Sequence, residues 1–270
     1  MTTREYVIAD VFTDTPLQGN QLAVFIDAEG LDDERMQSTA RELKLAETVF
    51  VFPGDEGADA RIRIFTPLME LPFAGHPVLG TAFVLGERGT VLLKTGAGTV
   101  AVRLNDDRTY GEMERPAPEA EPFEAPDELL DALDAPGSLL PIEAYRNGPR
   151  HVYVALAEVG SLQPNPNRLA QFGEIGINCF ALPGPGQVRT RMFAPGMGVV
   201  EDAATGSAAG PLALHLVRHG RAQEGQQLEI RQGIEIGRPS TLYARVEADP
   251  PRIVVGGSAV IVARGSYRLA

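Results

Sequence analysis

Two short motifs place a glycine at a predicted helix start, Gly75-His76-Pro77 and Gly206-Ser207-Ala208. The first turn of a helix exposes unpaired N–H groups and the positive end of the helix dipole, and glycine lets a ligand approach that backbone closely. Two such starts suit an anion, and we expect a carboxylate. In a simpler interpretation Ser207 only caps a helix and Gly75 only makes a turn. The occurrence of both motifs at equivalent positions of a repeat favours binding.

That repeat is found by comparing the chain with itself. At an offset of 128 residues, Leu22-Ala-Val-Phe aligns with Arg150-His-Val-Tyr, Val49-Phe-Val-Phe with Ile177-Asn-Cys-Phe, and Arg63-Ile-Phe-Thr-Pro with Arg191-Met-Phe-Ala-Pro. The offset then becomes 131, where Ala74-Gly75-His76 aligns with Thr205-Gly206-Ser207. Similarity at a shared offset and in a constant order indicates a duplicated unit. Two similar lobes facing each other would form a cleft for a small ligand.

The two halves differ at two acidic residues. Glu47 lies where a predicted helix gives way to an apolar strand, and its counterpart is Ile175. A carboxylate at that point is positioned to have a raised pKa and to exchange protons; the alternative is a solvated residue at a helix end. Asp202 has Leu71 as its counterpart. The architecture requires neither acid, so both are candidates for chemistry.

Two further positions align with each other. His76 corresponds to Ser207, and a neutral imidazole and a hydroxyl can share protons or hydrogen-bond to a polar ligand, although a histidine beside a helix start is often structural. Glu70 corresponds to Glu201, which indicates a structural role for both.

Other chemistries lack their motifs. Neither the Gly-x-Ser-x-Gly elbow of hydrolases nor a nucleotide-binding GxxxxGK[ST] or GxGxxG occurs. His215 and His219 are four residues apart in a predicted helix, but the HExxH glutamate is missing, so we expect no metal site. Cys179 is expected to be a small buried strand residue.

Composition limits the class of protein. The chain has 270 residues, 44% of them hydrophobic, with 24 basic against 36 acidic side chains and a net charge of −12. Length and apolar content suit one large or two smaller globular domains, and the charge disfavours nucleic acid as a partner. One cysteine gives no disulfide, and no apolar run approaches the about 18 residues of a membrane span. We expect a cytoplasmic protein without a membrane partner.

The predicted elements are short strands and a few helices. Strands are predicted at Tyr6-Val-Ile-Ala, Leu22-Ala-Val-Phe-Ile, Thr48-Val-Phe-Val-Phe, Arg61-Ile-Arg-Ile-Phe and Gly98-Thr-Val-Ala-Val-Arg-Leu. Apolar spacing predicts a surface helix over Leu31 to Leu45. The segment Pro77 to Gly86 is apolar or small on all sides, which predicts a buried helix wrapped by strands, and a second mostly apolar helix begins at Ala208 and stops at Gly220.

We therefore predict an α+β fold of two pseudo-symmetric lobes, each a β-barrel-like sheet around a central helix. The lobes are expected at residues 1–115 and 127–270, with a proline-rich connection at 116–126 and a last strand able to return to the first lobe.

Six segments together resemble one family. They are Gly19-Asn20 with Leu22-Ala-Val-Phe, Ala46-Glu47-Thr48, Glu70-Leu-Pro-Phe-Ala-Gly-His-Pro, Asn147-Gly-Pro-Arg-His, Glu201-Asp-Ala-Ala-Thr-Gly-Ser-Ala-Ala-Gly and Gly233-Ile-Glu-Ile-Gly-Arg-Pro-Ser. In this order, over nearly the whole chain, they look like the PhzF family of phenazine-biosynthesis isomerases.

The resemblance implies a diaminopimelate-epimerase-like fold, a homodimer and a cofactor-free isomerisation of the small carboxylate trans-2,3-dihydro-3-hydroxyanthranilate. By the family pattern, Glu47 is the general acid/base that takes a proton from C3 and returns one at C1. The matches to His76, Asp202 and Ser207 complete the catalytic set. Asn20, Gly75 and Gly206 are implied to lie near the substrate.

Two residues depart from the family pattern. Gln21 stands where proline commonly follows Gly-Asn, and Ala46 replaces a serine that often precedes the glutamate. We expect the absence of a serine hydroxyl at Ala46 to change proton delivery or substrate fit. Two alternatives stay open: an isomerase or epimerase of another amino or cyclic acid that uses the same residues, and a protein that binds a carboxylate without chemistry.

Overall fold

The computed structural model of the chain describes residues 2–55, 57–86 and 89–269. The chain divides into two compact units. The first unit consists of Met1–Glu114 together with Gly256–Ala270, and the second unit consists of Arg115–Val255.

The first unit is built on strands from both ends of the chain. Its strands are β1 (Thr2–Val11), β2 (Asn20–Phe25), β3 (Glu47–Pro53), β4 (Ala60–Phe65), β5 (Glu70–Leu71), β6 (Gly89–Thr95), β7 (Gly98–Leu104), β8 (Gly111–Pro116) and the last strand, β18 (Ala259–Leu269). Its helices are α1 (Asp33–Leu43) and α2 (Gly75–Leu85). The strands and the surface helix predicted here from apolar spacing are confirmed.

Helix α2 is the centre of the first unit. Its residues from Gly75 to Phe83 are all buried, and strands β1, β2, β3, β6, β7 and β18 all contact it. A side chain at Gly80 would overlap Leu22 and Val11, because a Cβ there would lie 2.6 Å from each of them. The helix is therefore pressed against β1 and β2, as its lack of a polar face predicts.

The second unit repeats this plan. Its strands are β9 (Ala120–Pro122), β10 (Glu143–Arg146), β11 (Arg150–Ala155), β12 (Ile175–Gly184), β13 (Gln187–Ala194), β14 (Val199–Asp202), β15 (Leu228–Gln232), β16 (Ser240–Glu247) and β17 (Arg252–Gly257). Its helices are α3 (Pro126–Leu133), α4 (Pro166–Leu169) and α5 (Gly206–Arg218), with 3-10 turns at Ala170–Phe172 and Pro195–Met197.

Strand pairing in the two units follows one pattern. In the first unit β1–β2 is antiparallel, β2–β3 parallel, β3–β4 and β4–β5 antiparallel, β4–β6 parallel and β6–β7 antiparallel. In the second unit β10–β11, β11–β12, β12–β13, β13–β14, β13–β15 and β15–β16 have the same orientations in the same order. Helices α2 and α5 occupy equivalent places between these strands. The duplication inferred from the fixed offset is confirmed.

Each unit contains an equivalent arginine–glutamate ion pair. Arg63 donates through Nε and Nη2 to the two carboxylate oxygens of Glu70, at 2.7 and 2.6 Å. Arg191 does the same to Glu201, at 2.9 and 2.8 Å. In both units the arginine lies on the longer strand and the glutamate on the short strand paired with it. The aligned glutamates are therefore structural, as their correspondence predicts.

Some element boundaries differ from the sequence predictions. Helix α2 begins at Gly75, two residues before Pro77, and α5 begins at Gly206 rather than Ala208. Both glycines thus form the first turn, and Pro77 lies where its missing N–H is not needed. The proline-rich segment around 116–126 contains the short strand β9, which pairs with β10.

Candidate active site

The first unit brings three of the proposed site residues together. Asn20 is the first residue of β2, Glu47 the first of β3 and His76 the second of α2. Strands β2 and β3 are parallel neighbours with Leu22 opposite Glu47, so their starts lie at the same edge of the sheet. The Glu47 Oε2 atom is 3.0 Å from Nε2 of His76, and Nδ2 of Asn20 is 3.4 Å from Nδ1 of the same ring.

The local sequence explains why Glu47 stands at this edge. Helix α1 ends at Leu43, and Lys44 adopts a left-handed conformation with φ 54° that turns the chain out of the helix. Strand β3 then begins, and its residues from Thr48 to Phe52 are buried. Glu47 is therefore the last polar side chain before the interior, and 13% of that side chain is exposed.

His76 is a neutral base beside this carboxyl group. Burial lowers the pKa of His76 to about 3, against the hydrogen bond to the backbone of Gln21, which raises it. Only 3% of the residue is exposed. The ring is therefore neutral near pH 7, and its Nε2 atom lies 3.0 Å from the carboxyl oxygen.

The second unit assembles its residues around Asp202. The Asp202 Oδ2 atom accepts a hydrogen bond of 2.6 Å from the Thr205 hydroxyl. Gln232 donates to the Asp202 carbonyl and to the Thr205 hydroxyl, both at 2.9 Å, and accepts from the Thr205 N–H at 3.2 Å. Gln232 thus fixes the turn between β14 and α5, and with it Asp202 and Gly206.

Ser207 has an imidazole partner that the sequence did not identify. His151, on β11, places Nε2 3.0 Å from the Ser207 hydroxyl, and burial lowers the pKa of His151 to about 3. On the other side of the ring, Nδ2 of Asn178 lies 3.4 Å from Nδ1. The Asn178 amide is oriented by its hydrogen bonds to the carbonyls of Gly176 and Val152.

These partners assign the protons of the pair. The Asn178 amide faces Nδ1 at 3.4 Å, which favours the tautomer of neutral His151 with its ring proton on Nε2. His151 then donates to the Ser207 oxygen. The Ser207 hydroxyl proton is left to point toward an acceptor outside this pair. Ser207 is therefore built as a hydrogen-bond donor, which suits a carboxylate oxygen.

The first turns of helix α5 lack one backbone hydrogen bond because Pro211 lies inside the helix. Proline has no N–H, so the carbonyl of Ser207, four residues earlier, loses its helical partner. Asn147 supplies the missing donor, with Nδ2 at 2.9 Å from that carbonyl, and the Tyr153 hydroxyl donates to the carbonyl of Ala208 at 2.7 Å. These contacts hold the start of α5 in place.

The sequence contained a signal for His151. At the offset of 128 its counterpart is Ala23, and that of Asn178 is Phe50. The comparison that selected Glu47 and Asp202 as acids without a counterpart therefore also selects His151, which was noted only as part of a motif.

Comparison with solved structures gives the class of protein. The chain has the fold of a probable proline racemase from Agrobacterium radiobacter, with a TM-score of 0.67 at 14% identity over 99% of this chain and 93% of that one. A predicted epimerase from Pseudomonas aeruginosa is more similar, with a TM-score of 0.85 at 32% identity over 99% and 100% of the two chains. The fold is the α+β fold of these racemases and epimerases.

The family follows from the sequence comparisons. The chain belongs to the PhzC-PhzF family, described as phenazine biosynthesis-like proteins, whose model matches residues 9–265. A relative from Pseudomonas aeruginosa, named trans-2,3-dihydro-3-hydroxyanthranilate isomerase, is 51% identical over 96% of this chain and 98% of its own. Among the described residues, no helix is long and apolar enough to cross a membrane.

Proposed function

We propose that the chain isomerises trans-2,3-dihydro-3-hydroxyanthranilate, with Glu47 moving the proton. The C–H bond at C3 breaks, the double bonds of the ring shift, and a new C–H bond forms at C1, giving an enol that becomes an amino ketone. Substrate and product have the same atoms and electrons, so the step needs no redox cofactor. The proposal is supported by the name of the relative at 51% identity.

One structural observation carries this role. Glu47 stands at the end of a buried strand, with its Oε2 atom 3.0 Å from the neutral ring of His76. A base that removes a proton from carbon must be held near it in a largely dry site. The His76 ring gives Glu47 a partner whose protonation does not change near neutral pH. Asn20, at the other ring nitrogen, holds that ring.

In this proposal, the other residues of the family pattern hold the substrate. The Ser207 hydroxyl, oriented by His151, and the backbone N–H groups at the Gly75 and Gly206 helix starts bind the substrate carboxylate. Asp202 binds the substrate amine. With carboxylate and amine held, the charge that develops on proton removal can spread into the ring.

The wider setting is part of the same proposal. We place the enzyme in the cytoplasm as a homodimer that uses a small-molecule carboxylate, and neither nucleic acid nor membrane, as its partner. The single cysteine cannot form a disulfide within the chain, so the sequence gives no reason to expect an oxidising compartment. The net charge of −12 is unfavourable for nucleic acid.

The decisive experiment replaces Glu47 with glutamine. We expect Glu47→Gln to lower kcat on trans-2,3-dihydro-3-hydroxyanthranilate by about 100- to 10,000-fold, the usual contribution of a general base, with near-unchanged affinity for an anthranilate-type ligand. Glu34→Gln, on the exposed face of α1, is the matched control and keeps wild-type turnover. Product is followed as loss of the substrate diene absorbance.

Three results would overturn parts of the proposal. Wild-type kcat in Glu47→Gln refutes the mechanism. Turnover of another cyclic amino acid, but not of this substrate, refutes the proposed substrate and leaves the proposed catalytic residues unchanged. Tight binding without turnover by the wild-type protein shows a carboxylate-binding protein instead.

A further inference from the structure

A second cluster of ionisable side chains lies apart from the candidate active-site residues, within the second unit. Glu143 and Tyr145 are two residues apart on β10, so their side chains leave the same face of the strand. His215 and His219 are four residues apart on α5 and lie on one face of the helix. The strand thus provides oxygen atoms and the helix provides imidazole nitrogens.

The atoms of the cluster converge. Glu143 Oε2 lies 3.1 Å from Nδ1 of His215 and 3.0 Å from Nε2 of His219, and the ligand atoms of these three residues all lie within 4.8 Å of one another. The Tyr145 hydroxyl is 2.7 Å from Glu143 Oε2 and 3.1 Å from Nδ1 of His215. Zn²⁺ bonds of about 2.1 Å in a tetrahedron separate ligand atoms by about 3.4 Å. The two distances from Glu143 to the histidine nitrogens are thus about 0.3–0.4 Å shorter than in such a site.

The surroundings suit a closed site. The His215 side chain is fully buried, while 13% of Glu143 and 19% of His219 are exposed, which leaves an entry at the His219 side. The His215 ring stacks on Tyr153 at a centroid distance of 5.7 Å, so its plane is fixed.

Arg218 is the charged neighbour that such a site must accommodate. Its Nη2 atom donates to Oε1 of Glu143 at 3.2 Å, and 45% of the Arg218 side chain is exposed. The guanidinium therefore takes one carboxylate oxygen and leaves Oε2 facing the two rings.

We propose that Glu143, His215 and His219 form a site for Zn²⁺. Two imidazoles and a carboxylate oxygen are a donor set that suits zinc. The sequence did not predict it because the glutamate comes from a strand 72 residues before His215 and not from the helix itself. The ion would join β10 to α5.

The competing interpretation is a hydrogen-bond network without metal. In that network Glu143 Oε2 accepts protons from Tyr145, His215 and His219. A metal requires the opposite state, with bare nitrogens facing Oε2 and the protons on the far side of each ring. The two interpretations therefore predict different results when zinc is added.

The test is zinc binding by the full-length chain after treatment with a chelator. Equilibrium dialysis should give one Zn²⁺ per chain, and Zn²⁺ should raise the unfolding temperature. His219→Gln should weaken binding by at least about tenfold. His76→Gln is the matched histidine control and should keep one Zn²⁺ per chain, which also excludes the Glu47–His76 pair as the site. Absence of stoichiometric binding, or binding unchanged in His219→Gln, overturns the proposal.

A measurement on the wild-type protein covers the case in which His219→Gln does not fold. X-ray absorption of the zinc-loaded chain should show two imidazole ligands with oxygen in the remaining positions. A zinc shell with fewer than two imidazoles overturns the proposal.

Discussion

The buried neutral histidines predict a specific loss of stability in acid, and His151 allows it to be measured in isolation. Its pKa is lowered to about 3 by burial, its ring partners Ser207 and Asn178 are uncharged, and the pKa of an unfolded histidine is about 6.5. Below about pH 6.5 the unfolded chain therefore takes up a proton that the folded chain does not. The contribution of His151 to stability is complete above this pH and falls as the pH drops toward 3.

The size of the effect follows from the two pKa values. Between about pH 7.5 and about pH 5, protonation of the unfolded histidine favours unfolding by about 2 kcal/mol, because the folded ring stays almost entirely neutral over that range. His76, whose pKa is also lowered to about 3, contributes a similar amount. Each loss is a substantial part of the 5–15 kcal/mol, roughly, that stabilises a typical domain.

The assay compares the wild-type protein with His151→Gln by chemical denaturation followed by circular dichroism at both pH values. Glutamine does not titrate, and its amide can still donate to the Ser207 hydroxyl. We expect the free energy of unfolding of the wild-type protein to fall by about 2 kcal/mol more than that of the variant. If the difference in free energy of unfolding between the two proteins is the same at both pH values, His151 is not held neutral, and the proton assignment of the His151–Ser207 pair fails.

Two further predictions use comparisons built into the chain. A Cβ at Gly176 would lie 2.5 Å from Nδ1 of His151, so Gly176→Ala should displace the ring and lower kcat. The control is Gly184→Ala on the same strand, where the Cβ would lie 3.4 Å from a flexible side chain and kcat should not change. Equal kinetics of the two variants would refute the role of His151. Arg191→Met should destabilise the protein by about 3–5 kcal/mol, because only 8% of the Arg191 side chain is exposed. Arg63→Met should cost about 1 kcal/mol or less, because 21% of the Arg63 side chain is exposed. Denaturation midpoints in the reverse order would contradict this prediction.

The repeated fold was predictable because its signals are local and occur twice. The apolar strands, the surface helix and the helix without a polar face all follow from residue spacing, and the offset of 128 relates them. The exact helix starts were missed by two residues, because Gly75 and Gly206 have weak helix propensity and are held by tertiary contacts such as those of Gln232. Propensity gives way to such contacts at helix ends.

The sequence predicts the site residues that differ from their counterparts in the repeat. It does not predict contacts between residues that are far apart in the sequence. Glu47 and Asp202 stand out because their counterparts are apolar. The partnership of His151 with Ser207 joins residues 56 apart, and the Asn147 contact that replaces the N–H missing at Pro211 spans 60. Such pairs depend on how strands and helices pack, which spacing within one segment does not encode.

The pairing of β1 with β18 bears on how the chain is made. Strand β1 contains residues 2–11 and is paired on one side with residues 259–269, which are synthesised after the whole of the second unit. Every strand from β10 to β16 lies within the second unit, so that unit has its sheet partners while the first still lacks one. The half of the protein that is translated first is therefore completed last. Until then β1 has an unpaired edge, the kind of edge on which chains aggregate.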